Sequence, residues 1–161
     1  MHTSQLQLTF YDREDTLTLP VTSRESSHFM ECVKKLAAGD RSVPSHYLLN
    51  LSDTHTALVA IKEVQTVYAV ANGGTGHFAA PAGLDNDGAA FYLQRRRAPL
   101  LIALAPKGPF SDMITALITT HYDEPAVGCI MLADKASNPI FFRLDEVQFA
   151  IITRSLLAPG L

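Results

Sequence analysis

The chain contains no tryptophan, only two cysteines, and only 18% charged residues, below the quarter usual for globular domains. Two cysteines cannot make the disulfide framework of a small secreted scaffold. Cys32 and Cys129 fall in the apolar runs "FMECV" and "GCIML", and both are expected as buried free thiols suited to a reducing cytosol. The N-terminus "MHTSQLQLTFYD" lacks the basic and apolar regions of a signal peptide, and no apolar run reaches membrane-spanning length. A cytoplasmic protein without a membrane partner is the expectation. The formal charge of −3 and pI near 6.0 argue against a dedicated nucleic-acid binder, which usually carries a basic domain.

Catalytic and metal patterns are also missing. No G-x-S-x-G nucleophile elbow is present. None of the six histidines pairs with His or Cys at zinc-site spacing. Gly73-Gly74-Thr75-Gly76 follows a predicted strand, yet neither a helical pattern nor a P-loop lysine follows it. No catalytic residue, metal site or cofactor is assigned.

What the chain does have is length and apolar content. Its 161 residues suffice for a core without metal or disulfide support. Hydrophobic residues make up 47% and mean hydropathy is +0.11, which leaves room for buried oligomer contacts.

It also has an echo. Glu63-Val64-Gln65 recurs as Glu146-Val147-Gln148, each before a strand-like run. Phe10-Tyr11 precedes a charged tip, Asp12-Arg13-Glu14-Asp15, and the alternating "TLTLPV"; Phe91-Tyr92 precedes Arg95-Arg96-Arg97 and "PLLIALAP". A helix follows in each half. Thr22 and Glu25 have capping-box spacing, and Gly39 suits a left-handed helix end. Phe110, Met113, Ile114, Leu117 and Ile118 form one apolar helical stripe. "HYLLNLSD" and "ALVAI" then answer "GCIMLAD" and "IFFRL", with Asp53 and Asp134 placed to form turns. Offsets between matched residues run from 81 (Phe10 to Phe91) to 83 (Met30 to Met113).

The expected fold is α+β: two similar β-rich modules in tandem, each with one helix packed on a strongly bent sheet or small barrel. The expected division is 1–72, a Gly-rich connector at 73–89, and 90–161. Each unit, a helix followed by short bent strands ("FMECVKKLAAG", "HYLLNLSD", "TALVAI", "QTVYAV"), resembles the Sm-like small β-barrel. That resemblance implies a ring that binds RNA, with two modules per chain making a trimer a pseudo-hexamer. The family's strand glycine and its Asn-bearing loop motif have no match here, so the resemblance assigns no RNA-binding residue.

The sharpest local feature is Arg95-Arg96-Arg97. Three adjacent guanidiniums repel unless solvated or paired with anions. The matching turn of the first half is acidic, so Arg95, Arg96 and Arg97 are the candidate binding residues, for an acidic surface of a like module, another anionic partner, or RNA. The functional expectation is a non-enzymatic binding or assembly module that forms a homo-oligomer. The alternatives are an Sm-like RNA-binding ring protein and a small-molecule enzyme with its site between the repeats.

Overall fold

The structure, a computed structural model, describes residues 4–71, 78–104, 109–122, 129–134 and 136–161. Among these residues it is α+β, with two helices and ten strands in three open sheets. The first half holds β1 (Ser4–Phe10), β2 (Leu17–Val21), α1 (Ser23–Ala37), β3 (His46–Asn50), β4 (His55–Ala60), a 3-10 turn (Ile61–Glu63) and β5 (Val64–Ala71). The second holds β6 (Gly88–Leu93), β7 (Leu100–Ala103), α2 (Pro109–Thr119), β8 (Cys129–Ala133), β9 (Pro139–Arg143), a 3-10 turn (Leu144–Glu146) and β10 (Val147–Thr153). β6 begins at Gly88, inside the stretch expected as connector, and Gly73 to Gly76 lie outside the described residues.

Local chemistry explains the elements. The Thr22 hydroxyl accepts from the Glu25 N–H while the Glu25 carboxylate accepts from the Thr22 N–H, a capping box worth about 1 kcal/mol. Gly39 follows the helix at φ 88°, a conformation that costs glycine little. Pro109 opens α2, where its missing N–H would be unbonded anyway. β1 alternates buried Ser4, Leu6, Leu8 and Phe10 with half-buried Gln5, Gln7 and Thr9, the period of a strand covered on one face.

The sheets run β2-β1-β5, β3-β4-β10-β6-β7 and β8-β9. All described pairings are antiparallel. The expected small barrel is therefore corrected to open sheets. No described ladder links β4 to β5 or β9 to β10, so neither half closes on itself. The five-stranded sheet draws β3 and β4 from the first half and β6, β7 and β10 from the second. β10 lies at its centre and every residue of it is buried. One core cluster gathers Leu6, Leu8, Phe10, Phe29, Phe149 and Ile151; the other gathers Phe91, Ile114, Leu117, Phe142, Ala150 and Ile152. Neighbours along β10 thus point into different cores.

The strand registers recur at one spacing. Adding 83 to both partners turns Leu6–Leu19 into Ala89–Ile102, Leu48–Leu58 into Met131–Phe141, and Phe10–Val64 into Leu93–Val147. Even the bulge is matched: the ladder skips Gln65 between Val64 and Thr66, and Gln148 between Val147 and Phe149. Phe10 therefore corresponds to Leu93, not to Phe91 as the sequence suggested. The Phe-Tyr pair misleads because a two-residue slip preserves strand alternation.

Two further expectations are corrected. Cys129 is exposed and Cys32 is half-buried. Cys129 stands on the outward face of β8, where alternation exposes every second residue. Cys32 lies on the flank of α1, where burial pushes its thiol pKa up.

Candidate functional site

The turns of the two strand-first hairpins meet at one end of the molecule. Each is tied to its own half identically. The Tyr11 N–H donates to the Glu63 carbonyl at 3.1 Å, and the Gln94 N–H to the Glu146 carbonyl at 2.8 Å. Each turn closes through an arginine N–H, Arg13 to the Phe10 carbonyl and Arg96 to the Leu93 carbonyl, both at 3.3 Å. Between them stand Asp12 at φ 58° and Arg95 at φ 59°. Non-glycine residues enter that region rarely, and arginine more rarely than aspartate. The recurring tripeptide thus has a structural role. Its Glu carbonyl anchors the turn, its Val pairs with the last strand residue, and its Gln is the bulge.

The side chains break the correspondence. Arg13 crosses to the other half. Its Nε donates to Gln148 Oε1 at 2.9 Å, and Nη2 donates to the Leu93 and Arg96 carbonyls at 3.0 and 2.9 Å. The guanidinium also lies 5.5 Å from the Tyr92 ring and 5.7 Å from the Phe149 ring, which stack on each other. Burial lowers the Arg13 pKa and Asp15 opposes this; the group stays charged because arginine does not deprotonate in proteins. Gln148 Nε2 returns a hydrogen bond to the Tyr11 carbonyl, and Gln94 Nε2 donates to the Glu63 carboxylate. Gln148 is fully buried while its counterpart Gln65 is exposed.

Arg95, Arg96 and Arg97 are all exposed in the second turn. They and Asp12, Arg13, Glu14 and Asp15 line a cleft of about 420 Å³. The structure therefore brings the arginine triplet beside the acidic turn of the same chain. Four guanidiniums face three carboxylates there, with Arg13 engaged by carbonyls and the triplet's heads in solvent. Such a cleft can hold a small anion against the triplet, or a group with both charges across it. Among the described residues, no group of three or more His, Cys, Asp or Glu is placed to hold a metal ion.

A second surface escaped the sequence reading. On the β8–β9 hairpin, Leu132 and Phe142 face the core while Met131 and Phe141, directly paired, face outward. Met131 is 65% exposed and Phe141 68%. On β5, at the open edge of its sheet, Tyr68 is 64% exposed. The available signal was Phe141-Phe142: adjacent strand residues face opposite sides, so a hairpin covered on one face must expose one of them.

Comparison of the chain with models of known families, with curated proteins and with solved structures finds no match.

Proposed function

We propose that this chain is a non-enzymatic assembly module, built from one β-rich unit used twice, that forms a homo-oligomer through its open β5 edge and the outer face of β8–β9. The observation that carries this reading is which residues stand exposed. Subtracting 83 from Met131 and Phe141 gives Leu48 and Leu58; adding 83 to Tyr68 gives Ile151. Leu58 is 2% exposed, Ile151 is 1%, and Leu48 packs against the core. In the five-stranded sheet these positions are covered because β4 lies against β10. Their counterparts have no such cover within the described residues, and an open edge beside apolar side chains favours strand addition. The division into modules 1–72 and 90–161 belongs to the same reading, supported by the matching registers.

Arg95, Arg96 and Arg97 serve in this proposal as the contact for an anionic partner. A ring of RNA-binding barrels has less support, because the described sheets are open.

The test is sedimentation equilibrium across protein concentration, for wild type and the double variant Met131→Asp, Phe141→Asp. The wild type is expected at a multiple of 17.5 kDa and the variant near 17.5 kDa. Both side chains are exposed, so thermal unfolding of the variant monomer should change little. A wild type of 17.5 kDa at every concentration defeats the proposal.

A further inference from the structure

The geometry points to one partner for the open edge: β9 of a second copy of this chain, paired antiparallel with β5, with the exchange made reciprocally about a two-fold axis. The inference rests on the homo-oligomer reading and specifies its interface. Its basis is a junction that the chain makes once. β4, the second strand of one β-hairpin, pairs with β10 in the register Leu58–Ala150 and Ala57–Ile151. β9 has the hairpin position of β4, and β5 the sheet position of β10, at the constant spacing of 83. The corresponding junction is Phe141–Val67 and Ile140–Tyr68. Among the described residues it is not made within the chain: β5 borders β1 alone, and β9 borders β8 alone.

Each copy therefore holds both halves of a junction whose other instance it already builds. One edge lacks a hairpin and one hairpin lacks an edge. Where the exchange is reciprocal, a second copy supplies each missing part to the first and receives the same in return, and the assembly closes at two chains; the same contact made head-to-tail closes as a larger ring. An unrelated partner would have to match the β5 register and cover Tyr68, yet would leave Phe141 and Met131 bare. Reciprocal pairing covers all three. It also pairs the outward backbone groups of both edges, which supply the affinity of strand addition while the side chains set the register.

The test uses single-cysteine chains in a Cys32→Ser, Cys129→Ser background. One chain carries Val67→Cys and another Phe141→Cys; a second set carries Tyr68→Cys and Ile140→Cys. Neighbouring pairs in an antiparallel ladder alternate between wide and narrow spacing, so one set meets disulfide geometry whichever alternation applies. Mixing the two chains of a set under mild oxidation is expected to give a covalent species of twice 17.5 kDa, lost when both chains also carry Met131→Asp. Chains that associate by sedimentation, yet cross-link in neither set, overturn the β5–β9 junction and leave the homo-oligomer reading standing. Chains that stay at 17.5 kDa overturn both. A chain holding both cysteines of a set that cross-links internally at high dilution also overturns the inference, because the junction then closes within one copy.

Discussion

Arg13 Nε lies 2.9 Å from Gln148 Oε1, a bond between side chains 135 positions apart that joins the first turn of the chain to its last long strand. The same guanidinium satisfies the carbonyls of Leu93 and Arg96. Arg13→Ala would take this donor from a fully buried amide oxygen and from the Arg96 carbonyl, and would leave the Leu93 carbonyl with the Arg96 N–H. The expected loss is about 2 kcal/mol, read as a lower urea midpoint at constant slope. Arg13→Lys should recover less than half of it, because an ammonium cannot reproduce the planar fork. A midpoint within 0.2 M of wild type for the alanine variant would show that this cross-link contributes nothing.

His46 yields a prediction about pH. It is buried in β3, its Nδ1 shares a hydrogen bond with the Ser45 hydroxyl at 2.9 Å, and its Nε2 has no partner among the described residues. Burial first, and then Lys62, lower its pKa to about 4. The folded state therefore favours the neutral ring while the unfolded chain titrates near the ordinary value of about 6.5. Between those values the unfolded state binds more protons, so stability rises with pH. The contribution is complete above about 6.5 and is lost as pH falls toward 4, at roughly 1.4 kcal/mol per unit. Between pH 7 and 5 this one residue should cost about 2 kcal/mol. His55, also lowered by burial, acts in the same direction, so the His46 ring must be followed by site-resolved NMR. An imidazole that titrates near 6.5 in the folded protein would refute the assignment.

The helices differ in what a truncation should cost. Leu117 is buried against the five-stranded sheet, whereas Leu36 is only half-buried on α1. Leu117→Ala should cost roughly 2–5 kcal/mol through lost transfer and a residual cavity, and Leu36→Ala less than half as much, since a half-exposed site can rehydrate. Denaturant titration of the two variants checks the ordering, and equal losses would contradict it.

These residues indicate what was legible in the sequence. The capping box at Thr22 and Glu25, the stripe from Phe110 to Ile118, and the turn at Asp134 are local patterns, and each formed as read. Asp134 Oδ1 accepts from the N–H groups of Ala136 and Asn138, as a turn-forming aspartate does. The partner of β10 was not legible. Periodicity reports which residues are buried, but not whether β4 or β9 borders β10, because ladder pairing between distant strands leaves no local mark. Nor could one tripeptide announce that Gln148 is buried and Gln65 is not, since β10 lies at the centre of its sheet and β5 at an edge. Arg13 itself read as part of a charged tip, although its head ties one half to the other.

The arginine triplet supports a prediction of the opposite kind. Arg95, Arg96 and Arg97 are exposed, and what Arg13 uses from their turn is backbone carbonyl oxygen. Replacing all three with Gln keeps those carbonyls. It removes only solvated charges, which are usually worth no more than about 1 kcal/mol as pairs. The unfolding midpoint should therefore stay close to that of wild type, in contrast with Arg13→Ala. The cleft itself should change sign. With the triplet gone, Asp12, Glu14 and Asp15 face only Arg13, and the field repels anions. Phosphate titrated into wild type at low salt should shift the backbone amide resonances of Arg95 to Arg97, and 0.5 M sodium chloride should abolish the shift, since exposed charges are screened. The Gln variant should show no shift at any salt concentration. A wild type with the same flat response would remove the triplet from any role in anion contact and leave it as a solvated turn.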